Sequence, residues 1–80
     1  MRNMKTQSPD QQFVVCVNND GYSVSLEPRK IYLTLPDDKA KKHDLLRVVD
    51  ESGEDYLYPA RFFVAIKLPQ ALREVFQRAA

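Results

Sequence analysis

The sequence predicts an all-β fold, five short strands followed by one short C-terminal α-helix. Three observations predict it. Apolar runs of about five residues, rich in Val, Ile, Tyr and Phe, recur between clusters of turn residues. Where a period can be read in them it is two, the strand period. A helical period appears only after Pro69. A chain of 80 residues makes one domain. At that size only about 60% of the unfolded surface is buried, so each large apolar side chain counts.

Residues 1–12 have no periodic apolar positions and include Pro9 and three glutamines, which predicts a flexible N-terminal tail. Phe13 to Val17 is apolar and β-branched, the composition of a first strand buried on most sides. Asn18 to Gly21 breaks it, because Asn, Asp and Gly tolerate positive φ. Tyr22 to Leu26 alternates, with Val24 and Leu26 on one face. Pro28 presets a turn, and Ile31 to Leu35 is the cleanest strand, with Ile31, Leu33 and Leu35 opposite Tyr32 and Thr34. Asp37 to Asp44 reads as a charged loop, or at most one helical turn.

Leu45–Val49 and Tyr56–Tyr58 flank a polar, glycine-bearing tip and read as a hairpin. Pro59 lacks the N–H a ladder needs, so the chain leaves the sheet there or lies at its edge. Phe62 to Lys67 is the last strand, with Val64 and Ile66 on one face. Pro69 suits the first turn of a helix. Beyond it Leu72, Val75, Phe76 and Ala79 form an apolar stripe, with Glu74 and Arg78 paired on the other side. A helix this short must dock on something, since isolated helices need roughly 12–15 residues to persist.

Composition narrows the function classes. The net charge is +1, and the two halves of the chain are each nearly balanced. Neither half offers the one-sided positive field on which non-specific nucleic-acid binding relies. Cys16 is the only cysteine, which points to a reducing compartment and a cytoplasmic location. The longest apolar run is far short of a membrane span, so no membrane association is expected.

The segment from Gly53 to Val64 is similar to the distal part of an SH3-like barrel, ending in that family's Pro-x-x-aromatic 3₁₀ turn at Pro59 and Phe62. Val24 to Tyr32 is similar to the passage from the family's first long loop into its second strand. Residues 13–68 therefore resemble a five-stranded SH3-like barrel, with residues 69–80 as an appended helix. Pro59 and Phe62 match the proline and C-terminal aromatic of the family's peptide groove. There is no tryptophan, the first strand has no tyrosine-rich opening, and the loop after Asn18 is short. The resemblance thus implies the barrel rather than the polyproline groove. Residues 50–59, Asp-Glu-Ser-Gly-Glu-Asp-Tyr-Leu-Tyr-Pro, also resemble a family of short, uncharacterised bacterial proteins, a likeness that implies no activity.

Tyr56, Tyr58, Pro59 and Phe62 are the candidate partner-binding residues, with Tyr22 and Tyr32 as further aromatics expected to reach a surface. Tyrosine offers a rigid apolar body with a polar tip, which binding surfaces favour. Lys39, Lys41, Lys42 and Arg47, with His43 and Arg61, form the alternative, a nucleic-acid-binding face. Asp37, Asp38 and Asp44 bracket those lysines and cancel much of their field. Asn18, Asp20, Gly21 and Glu27 fall in a calcium-loop register, but Cys16 stands where the first aspartate belongs. Asp37, Asp38, His43 and Asp44 do not make a convincing metal set, nor Cys16 with His43 a nucleophile and base. Two glycines leave no phosphate loop.

The sequence thus points to a non-catalytic interaction module without cofactor or metal, binding an unidentified protein partner. Two alternatives stand beside it: a nucleic-acid-binding barrel, and a homodimer joined through Leu72, Val75 and Phe76.

Overall fold

The computed structural model describes residues 12–79, with side chains through Phe76. The expected tail therefore lies outside the described residues, except for Gln12, which already belongs to the first strand. The Glu74–Arg78 pairing and the place of Ala79 in the stripe also lie outside the described side chains.

Strands β1 (Gln12–Cys16), β2 (Ile31–Leu35), β3 (Leu45–Val49), β4 (Asp55–Pro59) and β5 (Phe63–Ile66) form one antiparallel sheet in the order β4-β3-β2-β1-β5. β4 and β5 are its two edges, and no ladder joins them. A 3₁₀ turn, Ala60–Phe62, carries the chain from one edge to the other. Helix α1 (Asp38–Lys42) links β2 to β3, and α2 (Gln70–Ala79) follows β5.

β1 explains why its sequence shows no alternation. It sits between β2 and β5, with Phe13 opposite Leu33 and Ile66 and Val14 opposite Tyr32 and Ala65. Val14 and Cys16 enter the main core with Leu26, Tyr32, Val48, Tyr58, Phe62 and Phe63. Phe13 points to the other side of the sheet, as strand geometry requires. There it is fully buried beneath α2, its ring 5.8 Å from that of Phe76 and 5.0 Å from the Arg73 guanidinium. α2 thus docks on its own sheet. Leu72 and Val75, from the same stripe, remain about half exposed.

β2 turns its Tyr32 and Thr34 face into the core and leaves Ile31, Leu33 and Leu35 half-buried on the α2 side. Pro59 ends an edge strand. The bonds from Asp50 N to Glu54 O and from Ala60 N to Asp44 O set the hairpin's alternation, so the Pro59 nitrogen faces away from β3 and no ladder bond is lost.

Two segments depart from expectation. Tyr22–Leu26 is not extended. Tyr22 N donates to Asn19 O, and Ser25 N and Leu26 N both donate to Tyr22 O. Val24 is 95% exposed while Leu26 is fully buried, so the two do not share a face. The segment's backbone is satisfied in these local turns and by Asn19 Nδ2, which donates to Leu26 O, so it needs no strand partner. Asp37–Asp44, expected as a loop or one turn, contains α1. Asp37 caps it by accepting a bond from Ala40 N at 2.9 Å, and Ala40, its one apolar residue, is buried.

Candidate functional site

The long loop between β1 and β2 is held to the β3–β4 hairpin by two tyrosines and two adjacent carboxylates. The hydroxyl of Tyr58 donates to Asp50 Oδ2 at 2.5 Å and lies 2.9 Å from the Ser25 hydroxyl, which can return a bond. The hydroxyl of Tyr32 donates to Glu51 Oε2 at 2.6 Å and accepts from Glu27 N at 2.8 Å. Glu51 N donates to Ser25 O, and Lys30 Nζ meets the Glu51 carboxylate at 2.7 Å. Asp50 Oδ1 takes two more bonds, from Ser52 N and Ser52 Oγ, which fold the hairpin tip over Gly53 at φ +84°.

The electrostatics follow from this wiring. Burial pushes the Asp50 carboxyl up, but hydrogen bonds from Ser52 and Tyr58 outweigh it and hold the group below its ordinary range. Burial first, and then the Asp50 carboxylate, push the Tyr58 phenol up to about 12. The Lys30 ammonium and the Tyr32 hydroxyl hold Glu51 low, while burial and Glu51 push Tyr32 up. Both carboxylates are therefore ionised and both phenols neutral at neutral pH.

Above this clamp lies an open groove of about 440 Å³ between the loop and the hairpin. Tyr58 and Asp50 floor it, and Tyr22, Tyr56, Leu57 and Glu54 wall it. The Tyr22 ring stands edge-on to Tyr58 with centroids 4.9 Å apart. Of the four partner-binding candidates, Tyr56 is 55% exposed and Pro59 half-buried, while Tyr58 and Phe62 are each 3% exposed. The expectation that all four reach a surface is corrected for Tyr58 and Phe62. Their rings fill the core because the register places Tyr58 opposite Leu46 and the 3₁₀ turn folds Phe62 inward. Tyr32 is likewise interior, whereas Tyr22 and Leu57 are about 40% exposed beside Tyr56.

The basic candidates separate. Lys39, Lys41 and Lys42 are exposed on α1. Arg47 is committed elsewhere: its Nε meets Asp37 and its second nitrogen meets Asp55, both at 2.8 Å. His43 ends α1 as an exposed cap residue, and the Arg61 guanidinium lies 5.2 Å over the Phe62 ring. Cys16 is fully buried, its thiol 3.3 Å from Asn18 O, and burial raises its pKa. Asn18 accepts from Asp20 N in a local turn. Among the described residues no group of three or more His, Cys, Asp or Glu side chains is placed to hold a metal ion, and no helix is long and apolar enough to cross a membrane.

Sequence reasoning missed Asp50, Glu51, Ser25 and Ser52. Local spacing carried no signal for them: the register sets Tyr58 opposite Leu46, four positions from Asp50, and only its long side chain carries the hydroxyl back to the acid. Comparisons with protein-family models, with curated proteins and with solved structures returned no match.

Proposed function

We propose that the protein is a non-catalytic interaction module that docks a protein partner in the groove between Tyr22 and Tyr56. One observation carries this reading. Tyr22, Tyr56 and Leu57, all substantially exposed, line a single groove whose floor is fixed by the Tyr58–Asp50 bond. A rigid floor limits the ordering cost of docking, and aromatic walls supply large contact area. The same reading takes the architecture as an SH3-like barrel left open along one seam. The strand order β4-β3-β2-β1-β5 and the 3₁₀ turn before the last strand support it. A lone, fully buried thiol suits work in a reducing cytoplasm.

A photo-reactive amino acid at position 57 tests the reading in cells. A discrete cross-linked adduct that disappears in the Tyr56→Ser background, at unchanged thermal midpoint, is the expected result. No adduct, or adducts indifferent to Tyr56, would remove it.

A further inference from the structure

The charge of the groove says what kind of side chain its occupant presents. Among the residues lining it are two carboxylates, Asp50 and Glu54, and no lysine or arginine. Asp50 is only 6% exposed, and its three hydrogen bonds all come from neutral donors, Tyr58 and Ser52. Among the described residues no cation lies within ion-pair distance of Asp50 or Glu54, although neighbouring Glu51 and Asp55 are each paired. These neutral donors stabilise the Asp50 carboxylate without cancelling its charge, so its field is projected through whatever opening remains. Here the opening is bordered by the rings of Tyr22 and Tyr56, whose faces carry negative potential of their own.

Resting on the interaction-module reading of this groove, we infer that it takes a cationic side chain, a guanidinium or ammonium within an otherwise apolar peptide segment of the partner. The side chain lies between the two tyrosines, with Glu54 at the rim and Asp50 beneath. An anionic or nucleic-acid partner would meet two unpaired carboxylates and no compensating base, so the same charges select against it.

Selection of random dodecapeptides displayed on phage against the full chain tests this, with Tyr56→Ser and Glu54→Gln run in parallel. Glu54 is exposed and unpaired, so its substitution leaves the fold intact. The expected result is a family of peptides sharing one Arg or Lys position, lost with Tyr56→Ser. Citrulline or norleucine at that position should weaken binding roughly tenfold, the scale of one desolvated cation–π and charge contact. Glu54→Gln should weaken the parent peptide and leave the neutral one unchanged. Tyr56-dependent peptides with no shared basic position would overturn the cationic occupant and leave the docking groove standing. No Tyr56-dependent peptide at all would overturn both.

Discussion

Tyr58 is the residue on which the site and the core meet, because its ring is interior and its hydroxyl reaches the hairpin acid. Tyr58→Phe keeps the ring and removes only the oxygen. It should lower stability by about 1–3 kcal/mol, the range for a hydrogen bond to a charged group left without its donor, measured by urea denaturation. An unchanged midpoint would mean that the clamp adds nothing to the packing. The pH dependence has two limbs. Asp50 and Glu51 are held below their ordinary range, so the stability they contribute is complete above the unfolded carboxylate values near 4 and is lost as pH falls through the folded ones. Tyr58 is shifted the other way, from 10.0 to about 12, so its contribution is complete below pH 10.0 and is lost as pH rises toward 12. Thermal midpoints measured from pH 2 to 12 should form a plateau with shoulders at both ends, and Asp50→Asn should flatten the acid shoulder. A profile identical to wild type in that variant would show that other groups set it.

At the scale of elements, both helices are held by few contacts. Asp37 caps α1 and pairs with Arg47, so Asp37→Ala should cost about 1 kcal/mol through the lost cap, with the loss of the partly buried ion pair adding to it. Phe76→Ala should cost about 1–2 kcal/mol, less than for a fully buried aromatic because Phe76 is only half-buried over Phe13. Circular dichroism during denaturant titration would read both, and no change for Phe76→Ala would show that α2 does not contribute to the fold. β2 and α2 were legible almost to the residue because each carries its period in side chains of contrasting polarity, and β3 because a polar tip bounds its apolar run. α1 was legible only as a loop or at most one helical turn, because its only apolar residue is Ala40, which leaves no stripe to read. The alternation in Tyr22–Leu26 misled because three alternating positions do not reveal whether a neighbouring strand is free to pair. In the site, Tyr56 was legible as a candidate, whereas Pro59 does not line the groove. The burial of Tyr58 and Phe62 was not legible, for in a run as aromatic as Tyr56–Phe63 the side that faces inward is decided by register.

For the whole molecule, recognition and stability should separate cleanly. Tyr56 is 55% exposed and makes none of the hydrogen bonds of the clamp, so Tyr56→Ser should change stability by no more than about 0.5 kcal/mol while abolishing docking. Thermal denaturation alongside the cross-linking experiment measures both, and a collapse of the fold in this variant would make Tyr56 a core residue. Phe62→Ala should do the reverse, at a cost of about 3–5 kcal/mol, because that ring is interior.

The pairing of the first strand with the last has a consequence in time. β1 contacts β5 across about fifty residues of chain, Phe13 opposite Ile66 and Cys16 opposite Phe63. The strands β1 to β4 are consecutive neighbours that can pair as they emerge, but the sheet is complete only when β5 reaches β1, and that one non-local ladder slows folding. During synthesis β1 therefore emerges as an apolar segment lacking one neighbour until β5 has cleared the ribosome. Nascent chains stalled before Phe63 should remain protease-sensitive, and those extended past Ile66 should become resistant in one step.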